Sequence, residues 1–308
     1  MTGKRAIVAR WRFPAPFRRH AGMTLIELMI AMLLGLIVIG GVLGIFAANN
    51  ETGRRTDDIA RIQESARIAL ELMARSLREA GGNVCGSAPA SISLVGLAKT
   101  DWWTGGEYFL GAITGYDDND VFPANGSVTR ASGSDAFIAI SATAGATAVT
   151  NNSPLTVYSA AGFVSGGRPV LFACNNGTGE GFIFRPDSIA SNVINATIPK
   201  NVDTVAGVNA EAWFVGVNPR GGTSLYRTEF TSDPEEIAPD VEKMTLGYLL
   251  QGGSTYLDAN GVGGEWDKVI AVRIGLTLAR ATAAASGAPK ITRNVAHVVT
   301  LRNRNPSP

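Results

Sequence analysis

Few residues of this chain have the types and the spacing that enzymatic chemistry requires. Histidine occurs only as His20 and His297, and cysteine only as Cys85 and Cys174. Two cysteines without a short spacing do not resemble a zinc site. The sequence also contains no nucleophile elbow and no phosphate-binding glycine loop. We therefore expect a protein that is not an enzyme and that uses no metal ion, no cofactor and no small-molecule substrate.

An acidic cluster at Asp117–Asp120 is the alternative to that expectation, because its side-chain oxygens are of the kind that calcium prefers. The cluster lacks the loop spacing and the distal glutamate of a recognised calcium site. It lies in the segment 100–134, which is rich in glycine, aspartate and aromatic residues. We expect this segment to be a surface insertion in which Trp102, Trp103 and Tyr108 anchor the loop to the core, rather than form a contact surface.

The charges are distributed unevenly. Residues 1–22 contain six lysines or arginines and no acid, whereas residues 23–308 contain 21 basic and 26 acidic side chains. Nucleic-acid binding usually requires a basic face. The large C-terminal part is therefore a poor candidate for that function.

The apolar run from Met23 to Ala48 is long enough to cross a membrane. Its 26 residues would form a helix of about 39 Å, compared with about 30 Å for the hydrocarbon core of a bilayer. The basic flank predicts that the N-terminus stays in the cytoplasm. The run is longer than the apolar region of a secretory signal peptide. Glu27 is its one charged residue, and because an acid within a membrane is costly, it suggests a partner; a plain single-pass anchor would have no use for it.

The residues after this run predict that the helix continues. Apolar side chains recur every three or four positions in 51–80, from Ile59 to Ala80, which is typical of an amphipathic helix. Gly81 and Gly82 then end it. Because no proline lies between Met23 and Gly81, we expect one continuous helix of about 57 residues.

Beyond Gly82 the composition is that of β-structure. Short apolar runs alternate with glycine, asparagine, aspartate, serine and proline. The clearest run, Val269–Ala279, alternates in period two and predicts a strand with one buried face. The other predicted strands are Ala136–Ala142, Leu155–Ser159, Pro169–Ala173, Gly181–Arg185, Ala212–Val217, Ser224–Phe230, Val241–Leu250 and Ala296–Arg302. The predicted fold class is α+β, with the amphipathic half of the helix packed on a mainly antiparallel sheet.

Residues 21–28 (Ala-Gly-Met-Thr-Leu-Ile-Glu-Leu) resemble the type IV prepilin motif. The resemblance implies that a prepilin peptidase cleaves between Gly22 and Met23 on the cytoplasmic side and that the new terminus, Met23, is N-methylated. It also implies that Glu27 pairs with the N-terminal amine of a neighbouring subunit during assembly. Such a pair would offset the cost of burying both charges.

Several later segments resemble the PilW family of minor pilins. They include Ala66–Cys85, Val241–Tyr248, the Trp266–Val269 segment and the terminal Leu301–Asn303. The resemblance implies a pilin-like fold and a subunit that joins other minor pilins and the major pilin in an initiation or tip complex, supporting pilus assembly, twitching motility and adhesion. It carries over no catalytic residue.

The predicted organisation follows from these features. Residues 1–22 form a cytoplasmic leader that is removed, 23–48 the membrane-spanning or filament-core helix, 49–80 its amphipathic continuation, and 81–308 a globular periplasmic domain of a Gram-negative bacterium. An even pair of cysteines in an exported domain favours a disulfide between Cys85 and Cys174 over two buried thiols. Two other functions remain open: a J-type minor pseudopilin of a type II secretion system, and a periplasmic binding module with an uncleaved anchor.

Overall fold

The computed structural model of the 308-residue chain describes residues 22–85, 89–97, 102–104, 112–124, 126–163, 170–230, 232–281 and 290–303. The chain divides into two compact units, Met1–Arg54 and Arg55–Pro308. The described part of the first unit is the N-terminal end of a helix. The second unit contains the rest of that helix and all the strands.

The long helix α1 spans Leu25–Glu79, which confirms the expected single uninterrupted helix. It ends where the sequence predicts, because Gly81 adopts a φ of 75°, a conformation that glycine tolerates best. A helix end leaves backbone carbonyls without partners inside the helix. Here the side-chain amide of Asn303 donates to the carbonyls of Glu79 at 3.2 Å and Ala80 at 3.1 Å, so a residue near the C-terminus caps the helix.

The larger sheet has eleven strands, and eight of them follow the order β1-β6-β5-β9-β3-β4-β8-β7. Strand β2 pairs with β3, β10 with β9, and β11 with β10. All these pairings are antiparallel except that of β1 with β6. The bounds are β1 Ser91–Val95, β2 Ile113–Tyr116, β3 Ala136–Asn152, β4 Leu155–Val157, β5 Leu171–Asn175, β6 Glu180–Phe184, β7 Ser188–Ala190, β8 Val193–Asn195, β9 Thr204–Val217, β10 Thr223–Glu229 and β11 Glu235–Pro239.

The smaller sheet has four antiparallel strands in the order β13-β12-β14-β15. Their bounds are β12 Val241–Leu250, β13 Tyr256–Leu257, β14 Val269–Ala281 and β15 Lys290–Thr300. A short helix, α2 (Ala259–Val262), precedes β14, and Asp258 caps it by accepting a hydrogen bond from the Gly261 amide. Sequence analysis predicted one sheet, and the structure divides the strands between two.

The C-terminal half of α1 packs on both sheets. Its buried face consists of Ile62, Ala66, Ala69, Met73, Ala74 and Leu77. These side chains share one core with the inward-facing residues of β14, which are Val272, Ile274, Leu276 and Leu278, and with Trp213 of β9. The alternation of Val269–Ala279 is therefore confirmed as the pattern of a half-buried strand, and the predicted α+β fold with a helix on a mainly antiparallel sheet is confirmed as well.

A polar cluster joins α1 to the larger sheet. Glu211 of β9 is only 9% exposed, and its carboxylate accepts hydrogen bonds from the Ser76 hydroxyl of α1 and, at 3.2 Å, from the Trp213 indole. The Arg227 guanidinium lies 3.7 Å from the same carboxylate and 5.9 Å from the Trp213 ring. A buried charge is tolerated when it is paired and hydrogen-bonded. The cluster therefore fixes the helix against β9 and β10.

Part of the segment after β1 belongs to the core. Trp103 is fully buried, and the Trp102 indole donates to the Phe230 carbonyl at 2.7 Å. The predicted anchoring by these two tryptophans is confirmed, whereas Tyr108 lies outside the described residues. The prediction of a surface insertion over 100–134 is wrong in part, because Ile113–Tyr116 is strand β2, paired with β3.

Candidate processing and assembly site

The predicted cleavage point precedes the first turn of α1. Gly22, Met23 and Thr24 are exposed and non-helical, and helix α1 begins at Leu25. Among the described residues other than its chain neighbours, no atom lies within 4 Å of the position that a Cβ would take at Gly22. The bond between Gly22 and Met23 therefore lies in exposed backbone outside the helix, where a peptidase could reach it.

Thr24 and Glu27 cap the start of α1 reciprocally. The Glu27 backbone amide donates to the Thr24 hydroxyl, and the Thr24 backbone amide donates to the Glu27 carboxylate, each at 3.3 Å. The Thr24 hydroxyl also donates to that carboxylate at 3.3 Å. This arrangement is a capping box, in which two backbone amides that the helix leaves unpaired are satisfied by side chains.

Sequence analysis missed the capping box, although the spacing of Thr24 and Glu27 is its known signature. The finding gives Glu27 a role within its own chain, because a carboxylate at the helix N-terminus also interacts favourably with the helix dipole. It also places the carboxylate against the backbone amide of Thr24, the residue that directly follows Met23, whose amine cleavage would free. Any test of the predicted pairing between subunits must separate these two roles of Glu27.

In the described part of the first unit, the large apolar side chains are exposed. The large hydrophobic residues between Met23 and Phe46 are 45–76% exposed. Helix α1 is long and apolar enough to cross a membrane, and the apolar stretch has none of its side chains buried. An apolar surface of this extent on a soluble protein marks a contact with lipid or with other protein. It therefore suits an inner-membrane anchor that crosses the membrane once.

Small residues interrupt this apolar surface. Gly35, Gly40, Gly41 and Gly44 lie along α1, and a Cβ at any of them would have no neighbour within 4 Å. Glycine at such positions lets the backbones of two helices approach closely in lipid. The four glycines therefore mark the part of α1 that is best shaped to pack against another helix.

Cys85 and Cys174 form a disulfide with a Cα–Cα distance of 5.4 Å. Cys85 follows the end of α1 and Cys174 lies in β5, and both are buried. The bond closes a loop with a sequence separation of 89 residues. It ties the chain that leaves α1 directly to the larger sheet.

The acidic cluster at Asp117–Asp120 is occupied by groups of the protein itself. The Asp117 carboxylate accepts hydrogen bonds from the backbone amides of Ala259 and Asn260, both at 3.0 Å, at the start of α2. The Arg130 guanidinium donates to the backbone carbonyls of Asp117 at 2.6 Å and Asp120 at 2.9 Å. An arginine therefore supplies the positive charge beside these oxygens. In the part of the chain that the structure describes, no three His, Cys, Asp or Glu side chains are grouped to hold a metal ion.

Burial shifts the pKa values of three groups beside this loop. Burial lowers the pKa of Arg130, and the Asp135 carboxylate partly offsets that effect. Burial likewise raises the pKa of Asp135, although its carboxylate accepts a hydrogen bond from the Leu246 amide at 2.7 Å. The Tyr248 hydroxyl is fully buried, and its pKa is raised well above the ordinary value by burial. Together these groups join β2, β12 and the start of α2.

The two histidines singled out in the sequence complete the set of residues to be located. His297 is exposed on β15, opposite Ile274 of β14. His20 and the rest of residues 1–21 lie outside the described residues.

Comparison with known proteins gives one match. The family model of the prokaryotic N-terminal methylation motif matches residues 17–43, a short part of the 308-residue chain. Together with the apolar helix, this match fits a type IV pilin-like or pseudopilin-like protein, and the motif implies processing by a prepilin peptidase and association with pilin partners at the membrane. No curated protein and no solved structure matches the chain.

Proposed function

We propose that this chain is a minor pilin of a type IV pilus, of the PilW type, with a structural role in filament assembly and no catalytic role. One observation carries the proposal: the methylation motif spans the start of an exposed apolar helix whose one charged residue up to Ala48 is Glu27. A large disulfide-bonded β-domain follows that helix. The resemblance of Ala66–Cys85 and Val241–Tyr248 to PilW proteins favours assignment to a pilus over assignment to another pilin-based system.

In the proposed mechanism the protein first spans the inner membrane, with its β-domain in the periplasm. Prepilin peptidase removes residues 1–22, and Met23 becomes the methylated N-terminus. The Glu27 carboxylate then pairs with the Met23 amine of a neighbouring subunit. The contacts that hold it within its own chain are 3.3 Å long, which is beyond the common range for such hydrogen bonds, so an ammonium group can replace them at small cost. The subunit thereby joins the other minor pilins in a complex that starts the filament.

Two measurements test whether the chain is processed and whether it belongs to a pilus or to a secretion system. Mass spectrometry of the membrane protein should show loss of residues 1–22 and gain of one methyl group. An intact N-terminus in cells with an active prepilin peptidase would instead identify an uncleaved anchor. Deletion of the coding region should abolish surface pili and twitching and leave exoprotein secretion normal. Normal piliation with failed secretion would identify a J-type pseudopilin and refute the pilus assignment.

Three substitutions separate pairing between subunits from capping within the chain. Glu27→Val removes both the charge and the capping acceptor, whereas Glu27→Gln removes the charge and keeps a carbonyl acceptor for the Thr24 amide. Thr24→Val removes the capping hydroxyl and keeps the charge. We expect membrane insertion of all three, with assembly lost in both Glu27 variants and largely kept in Thr24→Val. Equal assembly by Glu27→Gln and the unaltered protein would refute the pairing of charges.

A further inference from the structure

Strand β15 is an open edge of the smaller sheet. Within the part of the chain that the structure describes, its eleven residues pair with β14 and with no other strand. The Leu301 amide donates to the Ile270 carbonyl at 2.8 Å and continues this ladder. Hydrogen-bonded pairs alternate along antiparallel strands, so the odd-numbered residues of β15 bond to β14. Within 291–300, the residues whose backbone groups are directed to the open edge are Thr292, Asn294, Ala296, Val298 and Thr300.

This edge is long, regular and accessible. All five of those residues are exposed. The register between β14 and β15 is continuous from Lys290 to Thr300, without a bulge. Proteins usually protect an edge strand with a bulge, a proline, a short length, a covering element or charged side chains. Strand β15 has no proline or bulge and carries two charged residues, Lys290 and Arg293. An edge of this kind is a template for the addition of a strand from another chain.

The charges of the C-terminal region identify the kind of strand that fits. From Lys268 to the end, the chain has seven lysines or arginines and no acid, whereas residues 23–267 have 14 basic and 26 acidic side chains. Among the described residues, Arg293 and Arg302 take part in no ion pair. Pairing β15 with β15 of a second copy would place two cationic strands side by side, and like charges on adjacent strands are destabilising. An acidic partner strand has the complementary charge.

The inward-facing side of β15 adds apolar contacts. Ile291 and Val295 are half-buried against the core that α1 covers, and Arg293 lies between them on the same face. A strand added to the edge would set its own side chains beside these three. A partner strand that carries an apolar residue, an acid and a second apolar residue on one face would therefore match Ile291, Arg293 and Val295 in order.

We propose that the open edge of β15 binds an extended, net-acidic strand of a different filament subunit by β-augmentation. Backbone hydrogen bonds to the even-numbered residues supply the affinity, and Arg293 supplies the selection for acid. The identity of the partner as a filament subunit rests on the proposed function, whereas the edge and its charge do not. The side chains at the edge are small, so a partner strand can reach the backbone of β15.

The binding test uses the full chain in detergent and two synthetic peptides. The first, acetyl-Thr-Val-Thr-Glu-Thr-Val-Thr-amide, places one acid between two apolar side chains on one face, and the second has lysine in place of glutamate. We expect the glutamate peptide to slow hydrogen exchange of the even-numbered amides of β15 and to bind at least tenfold more tightly than the lysine peptide. Ala296→Pro removes one outward amide without breaking the ladder to β14 and should weaken binding at least tenfold. The matched control, Ala296→Val, keeps that amide and should bind normally.

A second variant keeps the test decisive if Ala296→Pro does not fold. Arg293→Glu leaves the backbone unchanged and should reverse the preference between the two peptides. Absence of glutamate-peptide binding, or equal binding of both peptides by the unaltered protein, would overturn the proposal. Concentration-dependent self-association that Ala296→Pro abolishes, without peptide binding, would show that a second copy occupies the edge and would overturn the acidic partner.

The pilus assignment can fail separately from this inference. If deletion of the coding region blocks secretion and leaves pili intact, the proposed function is wrong, and peptide binding at β15 still supports an acidic partner strand, now from a pseudopilin. If deletion removes pili, but neither peptide binding nor assembly responds to Ala296→Pro, the proposed function stands and the β15 inference is wrong.

Discussion

Removal of the Cys85–Cys174 disulfide should destabilise the β-domain by a large and calculable amount. The perturbation is the double substitution Cys85→Ala with Cys174→Ala, which avoids leaving a single reactive thiol. The bond closes a loop with a sequence separation of 89 residues. Chain-entropy theory then predicts a loss of about 4–5 kcal/mol in the free energy of unfolding, more than a thousandfold in the unfolding equilibrium. Most domains are stable by only about 5–15 kcal/mol, so the expected loss is a large fraction of the total.

The assay is denaturant unfolding of the full chain in detergent, followed by tryptophan fluorescence. Trp103 and Trp213 are fully buried in the β-domain and should report its unfolding. The unaltered protein in reducing buffer is the matched control, and it should reproduce the loss seen in the double variant. A loss of less than about 1 kcal/mol would refute the entropy argument, because it would mean that the unfolded chain gains little freedom when the loop is opened.

Three further predictions concern packing and charge in the β-domain. Met73→Ala empties a fully buried position between α1 and the sheets and should cost about 2–5 kcal/mol of unfolding free energy in denaturant titration. Gly115→Ala would place a Cβ 2.0 Å from the Tyr248 hydroxyl and should cost about 1–3 kcal/mol by overpacking, or prevent folding. Burial raises the pKa of Asp135 above its ordinary value of 3.8, so its contribution to stability is fully present below pH 3.8 and is lost as the pH rises through the folded-state pKa. Denaturant unfolding measured at a series of pH values, starting below pH 3.8, should therefore show that the unaltered protein loses stability relative to Asp135→Asn as the pH rises.

Controls for two of these substitutions are an exposed residue of α1 and an unhindered glycine. Ile68 lies on α1 and is 40% exposed, so Ile68→Ala should cost much less than Met73→Ala. Gly264 has no atom within 4 Å of its Cβ position and no positive φ, so Gly264→Ala should be close to neutral. Equal losses for Met73→Ala and Ile68→Ala would contradict the assignment of the buried face of α1. A destabilised Gly264→Ala variant would show that the Gly115→Ala result does not report the Tyr248 contact.

Several strands with a buried face were predicted well, whereas buried strand β2 and the buried first half of β9 were missed. Val241–Leu250 is β12 with the predicted bounds, and Val269–Ala279 extends by two residues to form β14. The predicted strand Ala212–Val217 is the end of a strand that begins at Thr204, and the predicted Ala296–Arg302 corresponds to β15 shifted toward the N-terminus. A buried face imposes alternation on the sequence, whereas most residues of β15 are exposed and leave no such pattern. For the same reason, the sequence did not predict the short strands β1, β7, β8, β11 and β13.

The sequence by itself determined the features that depend on neighbouring residues. The apolar run that begins at Met23, the prepilin motif around Gly22 and the end of the helix at Gly81 are local, because cleavage, membrane insertion and helix termination act on consecutive residues. The spacing of Thr24 and Glu27 belongs to this class too, since the capping box that it forms closes within one turn. The even cysteine count in an exported chain indicated a disulfide for the same kind of reason.

Only the tertiary structure decided the features that join distant segments. It divided the strands between two sheets, set Asn303 against the carbonyls that end α1, and placed Arg130 among the carbonyls of the acidic loop. Each of these contacts joins residues that are not neighbours in the sequence. Many residues of similar chemistry along the chain could form the same contact, so the sequence alone does not show which one does. The open edge of β15 belongs here as well, because a strand lies at an edge only when every other strand has found its neighbours.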